Sequence, residues 1–111
     1  MAVRNALKFV NSAIQKDPVV VFSKTTCPFS IMAKRILKEV GVSQMTVYEL
    51  ETRKDGEEIQ EALKEMTGIR TVPSVFIKGE SIGGGTQTAN LYETGKLKQL
   101  LEQHGLLEQT E

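Results

Sequence analysis

Cys27 is the only cysteine among the 111 residues, so any redox chemistry of this chain combines one thiol of its own with a thiol supplied by a partner. It is followed by Pro28, a residue favoured at the first position of a helix. A cysteine at that junction lies near unpaired N–H groups and the positive end of the helix dipole, which stabilise a thiolate. Lys24 adds positive charge, and such surroundings lower the pKa of a cysteine from about 8.5 to roughly 3.5–7.5. Cys27 is therefore predicted to be a catalytic thiolate, although an isolated cysteine is more often a small buried residue.

A second candidate site is the glycine triplet at residues 83–85, which stands before a predicted helix. Backbone without side chains allows a ligand to approach closely, and the helix N–H groups at Gly85 and Thr86 can receive a carboxylate. The alternative is a flexible turn with no ligand.

The elements that hold these residues follow from the apolar pattern. Residues 3–14 have helical spacing, and Pro18 ends that helix because proline disfavours helix in the residue before it. Residues 19–22 are a continuous apolar run typical of a strand buried on both faces. Residues 29–40 then fit one helical face that ends at Gly41. The cysteine is thus predicted at a strand-to-helix junction.

The rest of the chain completes an α/β domain. We predict a strand over residues 45–50 and a helix from the N-cap Asp55 to Gly68. Residues 74–77 and 81–82 are predicted to form a hairpin with its turn around residues 78–80. Two helices, over residues 88–94 and 96–107, are predicted to follow, with a break at Gly95. This order implies a mixed sheet covered by helices on both faces.

Composition limits the classes of function. The chain is short enough for one domain over residues 1–111, and its 14 basic and 14 acidic residues give no net charge for binding nucleic acid. The longest apolar run, residues 19–22, is too short to span a membrane, and no leader pattern is present, so a cytoplasmic protein is expected. His104 is the only histidine and is interpreted as structural or solvated, and no metal site is expected.

Three segments of this chain resemble the landmark motifs of dithiol-type glutaredoxins, in the same order and at similar separations. They are residues 24–30 (Lys-Thr-Thr-Cys-Pro-Phe-Ser), residues 71–73 (Thr-Val-Pro) and residues 82–84 (Ile-Gly-Gly). The resemblance extends over nearly the whole chain. It implies a thioredoxin-like fold with a four-stranded mixed sheet flanked by helices, and a glutathione-dependent oxidoreductase.

The resemblance also implies the roles of individual residues. Pro73 is expected to be cis and to leave the backbone of Val72 free to hold glutathione. Gln60 would reach the glycine carboxylate of glutathione. Arg70 is either a further source of charge near that carboxylate or an exposed surface arginine. Many relatives have acidic residues where this chain has Thr86 and Gln87. The glutathione-binding residues implied are Lys24, Phe29, Gln60, Thr71, Val72, Pro73, Gly84, Gly85 and Thr86.

Ser30 stands where dithiol relatives have their second cysteine. A hydroxyl cannot resolve a disulfide, so only a one-thiol cycle is open to this chain. In that cycle Cys27 takes glutathione from a glutathionylated protein or small disulfide, and a second glutathione releases it. Two origins of Ser30 are open at this point: a natural serine, or a cysteine replaced to trap the mixed disulfide.

Two other classes of function are weighed against this enzyme, which is expected to be a monomer. One is an iron–sulfur carrier that bridges two chains through Cys27 and glutathione; Pro28 argues against it, because related carriers usually have glycine there. The other is a non-catalytic glutathione-binding module, in which Ser30 marks lost activity.

Overall fold

The apolar periodicity of the chain corresponds to five α-helices packed on a four-stranded sheet in the computed structural model, which describes residues 2–108. The elements are α1 (Ala2–Lys16), β1 (Val19–Ser23), α2 (Pro28–Val40), β2 (Thr46–Glu49), a short 3-10 helix (Leu50–Thr52), α3 (Gly56–Thr67), β3 (Ser74–Ile77), β4 (Glu80–Gly83), α4 (Gly85–Glu93) and α5 (Lys96–Gln103).

The sheet is mixed, as predicted, and its strands lie in the order β2-β1-β3-β4. β1 pairs in parallel with β2 and antiparallel with β3, and β4 forms an antiparallel hairpin with β3. β1 is therefore central, and every one of its residues is buried. The loop that leaves its carboxyl end carries Cys27.

Two apolar layers cover the two faces of the sheet. On one face, Val20 and Phe22 of β1 pack with buried residues of α1 and α3. On the other face, Val19 and Val21 pack with buried residues of α2 and α5. The alternation of side chains along β1 thus fixes α2 against the sheet, and with α2 the position of the thiol at its first turn.

Helix ends differ from the prediction in the last part of the chain. α4 begins at Gly85, three residues before the predicted start at Thr88, because Gly84 serves as its N-cap. α5 ends at Gln103, not at residue 107. Gly105 adopts a left-handed φ of 67°. The N–H of Leu106 then returns to the carbonyl of Leu101, which closes a Schellman motif.

Leu107, beyond the end of α5, pairs with another part of the chain. Leu107 forms an isolated antiparallel bridge with Val42, just after α2. Gly41, which ends α2 as predicted, has a φ of 103°. A backbone bridge thus joins the segment after α5 to the segment after α2, and α5 itself does not continue to Leu107.

The hairpin turn and the N-cap of α3 lie where they were predicted, but the backbone angles of the turn and the partner of the N-cap side chain were not predicted. The hairpin turn consists of Lys78 and Gly79, which both have positive φ (51° and 81°), the conformation that suits a two-residue hairpin. Asp55 stands at the N-cap of α3, but its carboxylate binds the guanidinium of Arg53 at 2.8 Å instead of the helix N–H groups.

No helix among residues 2–108 is long and apolar enough to cross a membrane.

Candidate active site

Cys27 lies at the N-cap of α2, with Pro28 as the first helical residue, as predicted. Its backbone is extended (φ −93°, ψ 118°), so that its side chain stands beside the first N–H groups of the helix. The cysteine is only partly buried. Its side chain is therefore within reach of a partner's sulfur while the helix N-terminus lies directly beside it.

The electrostatics of this turn favour the thiolate. Burial by itself raises the pKa of the Cys27 thiol, because it disfavours the charged form. The N–H and hydroxyl of Ser30, the N–H of Phe29 and the charge of Lys24 together outweigh that effect. The pKa of Cys27 is consequently lowered from its ordinary value, in the predicted direction, and Lys24 contributes to it as expected.

Ser30 has a role that the sequence did not reveal. Its side chain is fully buried in the first turn of α2, and its Oγ accepts a hydrogen bond from the N–H of Lys24 at 3.3 Å. The same hydroxyl lies in the turn beside Cys27 and lowers the pKa of its thiol. Ser30 therefore connects the active-site loop to the thiolate, in addition to replacing a resolving cysteine.

The loop before β3 approaches the thiol from the opposite side. The Val72–Pro73 peptide bond is cis, as the family resemblance implied, and Pro73 is buried. Cys27 Sγ lies 3.6 Å from the carbonyl oxygen of Val72, to which the thiol form donates. The backbone of this loop is thus within reach of a ligand attached to the sulfur.

A groove of 540 Å³ runs beside the thiol. One wall is the loop before β3, another is the start of α4, and the ring of Phe29, which is 55 % exposed, stands at its edge. Seven of the nine residues predicted to bind glutathione line it: Phe29, Thr71, Val72, Pro73, Gly84, Gly85 and Thr86; Ile69 and Gln87 complete the lining.

The other two predicted residues, Lys24 and Gln60, line a separate pocket of 330 Å³ together with Glu51 and Arg53. The side chain of Gln60 is buried, and its Nε2 donates to the carbonyl of Arg70 at 3.2 Å. Gln60 thus fastens α3 to the loop that leads into the cis-proline.

Arg70 lies on the surface, which agrees with one of the two roles expected for it. Its guanidinium pairs with Glu61 at 2.5 Å on an exposed surface. The hydrogen bond from Arg70 holds the pKa of the Glu61 carboxyl below its usual range. The charge of Arg70 is therefore engaged next to α3, and the residue lines neither of these two pockets.

The start of α4 presents backbone donors to the groove. The N–H of Gly84 is taken by Gln87 Oε1 at 2.9 Å, whereas within residues 2–108 the N–H groups of Gly85 and Thr86 meet no acceptor. Gly85 lies against Phe29: a Cβ at this position would stand 3.0 Å from the Cβ of Phe29 and 3.2 Å from a carbon of its ring. The glycine is needed for this close approach.

Two polar contacts that the sequence pattern did not predict brace the site. The N–H and hydroxyl of Thr25 both donate to the Glu51 carboxylate, and this hydrogen bonding lowers the pKa of Glu51. Lys34, one helical turn beyond Ser30, pairs with Glu49 at 2.6 Å. Both contacts hold the active-site segment against the end of β2.

A small polar cluster lies beneath the second contact. Ser23 pairs with Glu49 in the register of β1 and β2. Ser23 Oγ and Glu49 Oε1 are buried and have no hydrogen-bond partner in the part of the chain that the structure describes. Within the same residues, no group of three His, Cys, Asp or Glu side chains could hold a metal ion.

A nucleophilic cysteine at a helix N-terminus, opposite a cis-proline and on a mixed four-stranded sheet, defines a thiol–disulfide oxidoreductase of the thioredoxin-like fold class. The glutaredoxin family model matches residues 19–82, more than half of the chain. The chain belongs to the glutaredoxin family.

Individual relatives support this assignment. Over 107 residues the chain is 47 % identical to glutaredoxin-C2 of Arabidopsis thaliana, covering 96 % of this chain and 92 % of that protein. It is 43 % identical to monothiol glutaredoxin-S6 of rice (Oryza sativa subsp. japonica), covering 90 % of this chain and 76 % of that protein. The crystal structure of a buckwheat glutaredoxin–glutathione complex superposes with a TM-score of 0.91 at 36 % identity and covers 96 % of both chains.

Proposed function

We propose that this glutaredoxin is a glutathione-dependent oxidoreductase that removes glutathione from mixed disulfides by a monothiol mechanism through Cys27. The observation that carries the proposal is one thiol with a lowered pKa beside an uncharged groove, with the buried hydroxyl of Ser30 in its first helical turn. Similarity to a buckwheat glutaredoxin that forms a glutathione complex supports glutathione as the ligand.

The first step is an exchange of one disulfide for another. The Cys27 thiolate attacks the glutathione sulfur of a glutathionylated protein or small disulfide; the sulfur–sulfur bond of the substrate breaks, and the substrate leaves as a thiolate that takes a proton from water. Cys27 then carries glutathione as a mixed disulfide. In the second step a glutathione thiolate attacks the sulfur of the bound glutathione, glutathione disulfide leaves, and the Cys27 thiolate is restored.

The chain contributes alignment and charge stabilisation to both steps. The N–H groups of Phe29 and Ser30 and the Ser30 hydroxyl stabilise the Cys27 thiolate as attacking group in the first step and as leaving group in the second. We propose that the backbone of Val72 holds the cysteinyl part of glutathione and that the start of α4 receives the carboxylate of its γ-glutamyl end. Lys24 and Gln60 would then lie towards its glycine end.

The test is turnover of a glutathionylated substrate in an assay coupled to glutathione reductase. We expect Cys27→Ser to lose all turnover, while Ser43→Ala, an exposed serine outside both pockets, keeps it. Mass spectrometry after mild glutathione disulfide treatment should show a single adduct on Cys27 that further glutathione removes. Undiminished turnover in Cys27→Ser would contradict the proposal, and so would visible cluster absorbance with dimerisation after anaerobic purification.

A further inference from the structure

An exposed stripe of side chains runs along α2 and starts one helical turn from the thiol. Ile31, Arg35 and Lys38 are exposed and share one face of α2, because residues three and four positions apart are neighbours on a helix. The N–H of Ile31 donates to the carbonyl of Cys27 at 3.0 Å, so the helical face that includes Cys27 continues directly into these residues. Together Ile31, Arg35 and Lys38 form the α2 stripe.

The α2 stripe lies apart from the groove beside the thiol. Phe29 stands at the edge of the groove and packs against Gly85. Ile31 is two positions further along, and residues with this spacing point to different sides of a helix. No residue of the stripe lines the groove or the pocket that contains Lys24 and Gln60. A glutathione bound in the groove therefore leaves the stripe accessible to the polypeptide that carries it.

The stripe is apolar near the thiol and positively charged beyond it. Ile31 is 42 % exposed and is the one exposed large aliphatic side chain within residues 2–108. Of the three basic residues of α2, Lys34 pairs with Glu49, whereas Arg35 and Lys38 take part in no ion pair within the same residues. Two unpaired cations beside the reacting sulfur complement an acidic chain segment and oppose a basic one.

Resting on the function proposed above, we propose that the α2 stripe docks the polypeptide of glutathionylated substrates and selects chains that are acidic a few residues from the modified cysteine. A helix rises about 1.5 Å per residue, which places Arg35 about 12 Å and Lys38 about 16 Å along α2 from Cys27. An extended chain rises about 3.3 Å per residue and covers these distances in roughly four to five residues. The selected acidic side chains are therefore those at the fourth and fifth positions from the cysteine.

Three glutathionylated peptides of equal length test this register, each with one cysteine at its centre. The first has glutamates at the fourth and fifth positions on both sides, the second has lysines there, and the third has its glutamates at the ninth and tenth positions. The Cys27 thiolate forms a bond to the glutathione sulfur, the bond between glutathione and peptide breaks, and the peptide leaves as a thiolate, with no net oxidation. Peptide release is followed by mass spectrometry below saturation, and each rate is divided by the rate with free glutathione alone.

At low ionic strength, the unaltered chain should release the first peptide about fivefold faster than the second, because exposed ion pairs contribute modestly. The ratio should fall below about twofold at roughly 0.5 M salt, since salt screens exposed charges. The third peptide should lose most of the advantage, because its glutamates lie about 30 Å from the cysteine, beyond the stripe.

Two double variants locate the effect. Arg35→Gln with Lys38→Gln should bring the ratio of the first two peptides to about one, because the stripe is then neutral. Arg4→Gln with Lys8→Gln removes one arginine and one lysine from exposed positions of α1, which covers the other face of the sheet, and should keep the ratio of the unaltered chain. A ratio of two peptides within one variant does not depend on how much of the protein is folded.

The docking inference is overturned if the two double variants give equal ratios, or if the unaltered chain does not distinguish the peptides. The mixed disulfide of glutathione and 2-mercaptoethanol has no polypeptide and tests the proposed function separately. Turnover of this disulfide without any preference among peptides removes the docking surface and leaves the proposed function standing. Failure of the folded, unaltered chain to turn it over contradicts the proposed function itself.

Discussion

Replacing Ser30 by alanine should shift the ionisation of Cys27 to higher pH. The Ser30 hydroxyl is buried, accepts the N–H of Lys24 at 3.3 Å and lowers the pKa of the Cys27 thiol. Alanine keeps the Cβ and the backbone N–H of residue 30, so Ser30→Ala removes only the hydrogen bonds of the hydroxyl. The variant therefore measures what that hydroxyl contributes to the thiolate.

The expected size follows from the bonds that remain. A hydrogen bond to a charged group contributes about 1.5–3 kcal/mol, and about 1.4 kcal/mol corresponds to a factor of ten in an equilibrium. Because the N–H groups of Phe29 and Ser30 and the charge of Lys24 are kept, we take the low end. The ratio of thiolate to thiol should fall about tenfold at any pH below the ionisation midpoint.

The lowered pKa of Cys27 also makes the stability of the fold depend on pH. The pKa of Cys27 is lower in the folded chain than in the unfolded one, so the thiolate stabilises the fold fully above the unfolded pKa of about 8.5. This contribution is lost as the pH falls through the lowered folded pKa. The part of the stability difference between the unaltered chain and Ser30→Ala that comes from the thiolate should therefore disappear towards acidic pH.

The assay is the rate of alkylation by iodoacetamide between roughly pH 3 and pH 10, a range that includes the pKa values typical of activated thiols. Cys27 is the only cysteine, so the signal has one source. Ser43→Ala, whose hydroxyl bonds to the carbonyl of Leu106 away from the thiol, is the matched control and should titrate like the unaltered chain. Equal midpoints for Ser30→Ala and the unaltered chain, with folding intact by thermal melting, would refute the role given to the hydroxyl.

Two further predictions concern the framework around the site. Lys34→Met leaves the half-buried Glu49 carboxylate without its cation and should destabilise the fold by about 1–2 kcal/mol, or about 4–8 °C in Tm. Arg70→Met, at an exposed ion pair, is the control and should destabilise the fold by less than about 0.5 kcal/mol. Equal losses in the two variants would contradict this prediction. Gly56→Ala places a Cβ 2.2 Å from a backbone carbonyl oxygen of the 3-10 helix and should cost about 1–3 kcal/mol in urea unfolding; an unchanged midpoint would show that α3 shifts freely.

Local signals in the sequence were sufficient for most of the fold. Pro28 and Gly41 delimit α2 because one fits a helix start and the other a left-handed end. The continuous apolar run of β1 predicts its central place, because both of its faces are buried. The end of α5 was not predictable in the same way: the apolar periodicity continues through Leu107, and only the left-handed Gly105 turns the chain towards Val42.

The same distinction applies to the candidate active site: effects of residues close in sequence were predictable, and contacts between distant residues were not. The thiolate at Cys27 follows from neighbours within a few residues along the chain, so the sequence could predict it. The bonds from Thr25 to Glu51 and from Lys34 to Glu49 join residues 26 and 15 positions apart and depend on how β2 lies beside β1. The resemblance implied that Gln60 reaches the glycine carboxylate of glutathione, and the hydrogen bond from its amide to the carbonyl of Arg70 was a contact that the sequence pattern did not predict.

The hydroxyl buried in the first turn of α2 also bears on how such proteins diverge. Serine and cysteine differ by a single atom, and their codons can be one base change apart. The Ser30 hydroxyl is buried, accepts a backbone N–H and acts on the Cys27 thiol. With the function proposed above, a lineage can exchange a self-resolving cycle for one that depends on glutathione without rebuilding its core. Selection can then act on the redox circuit while the architecture stays the same.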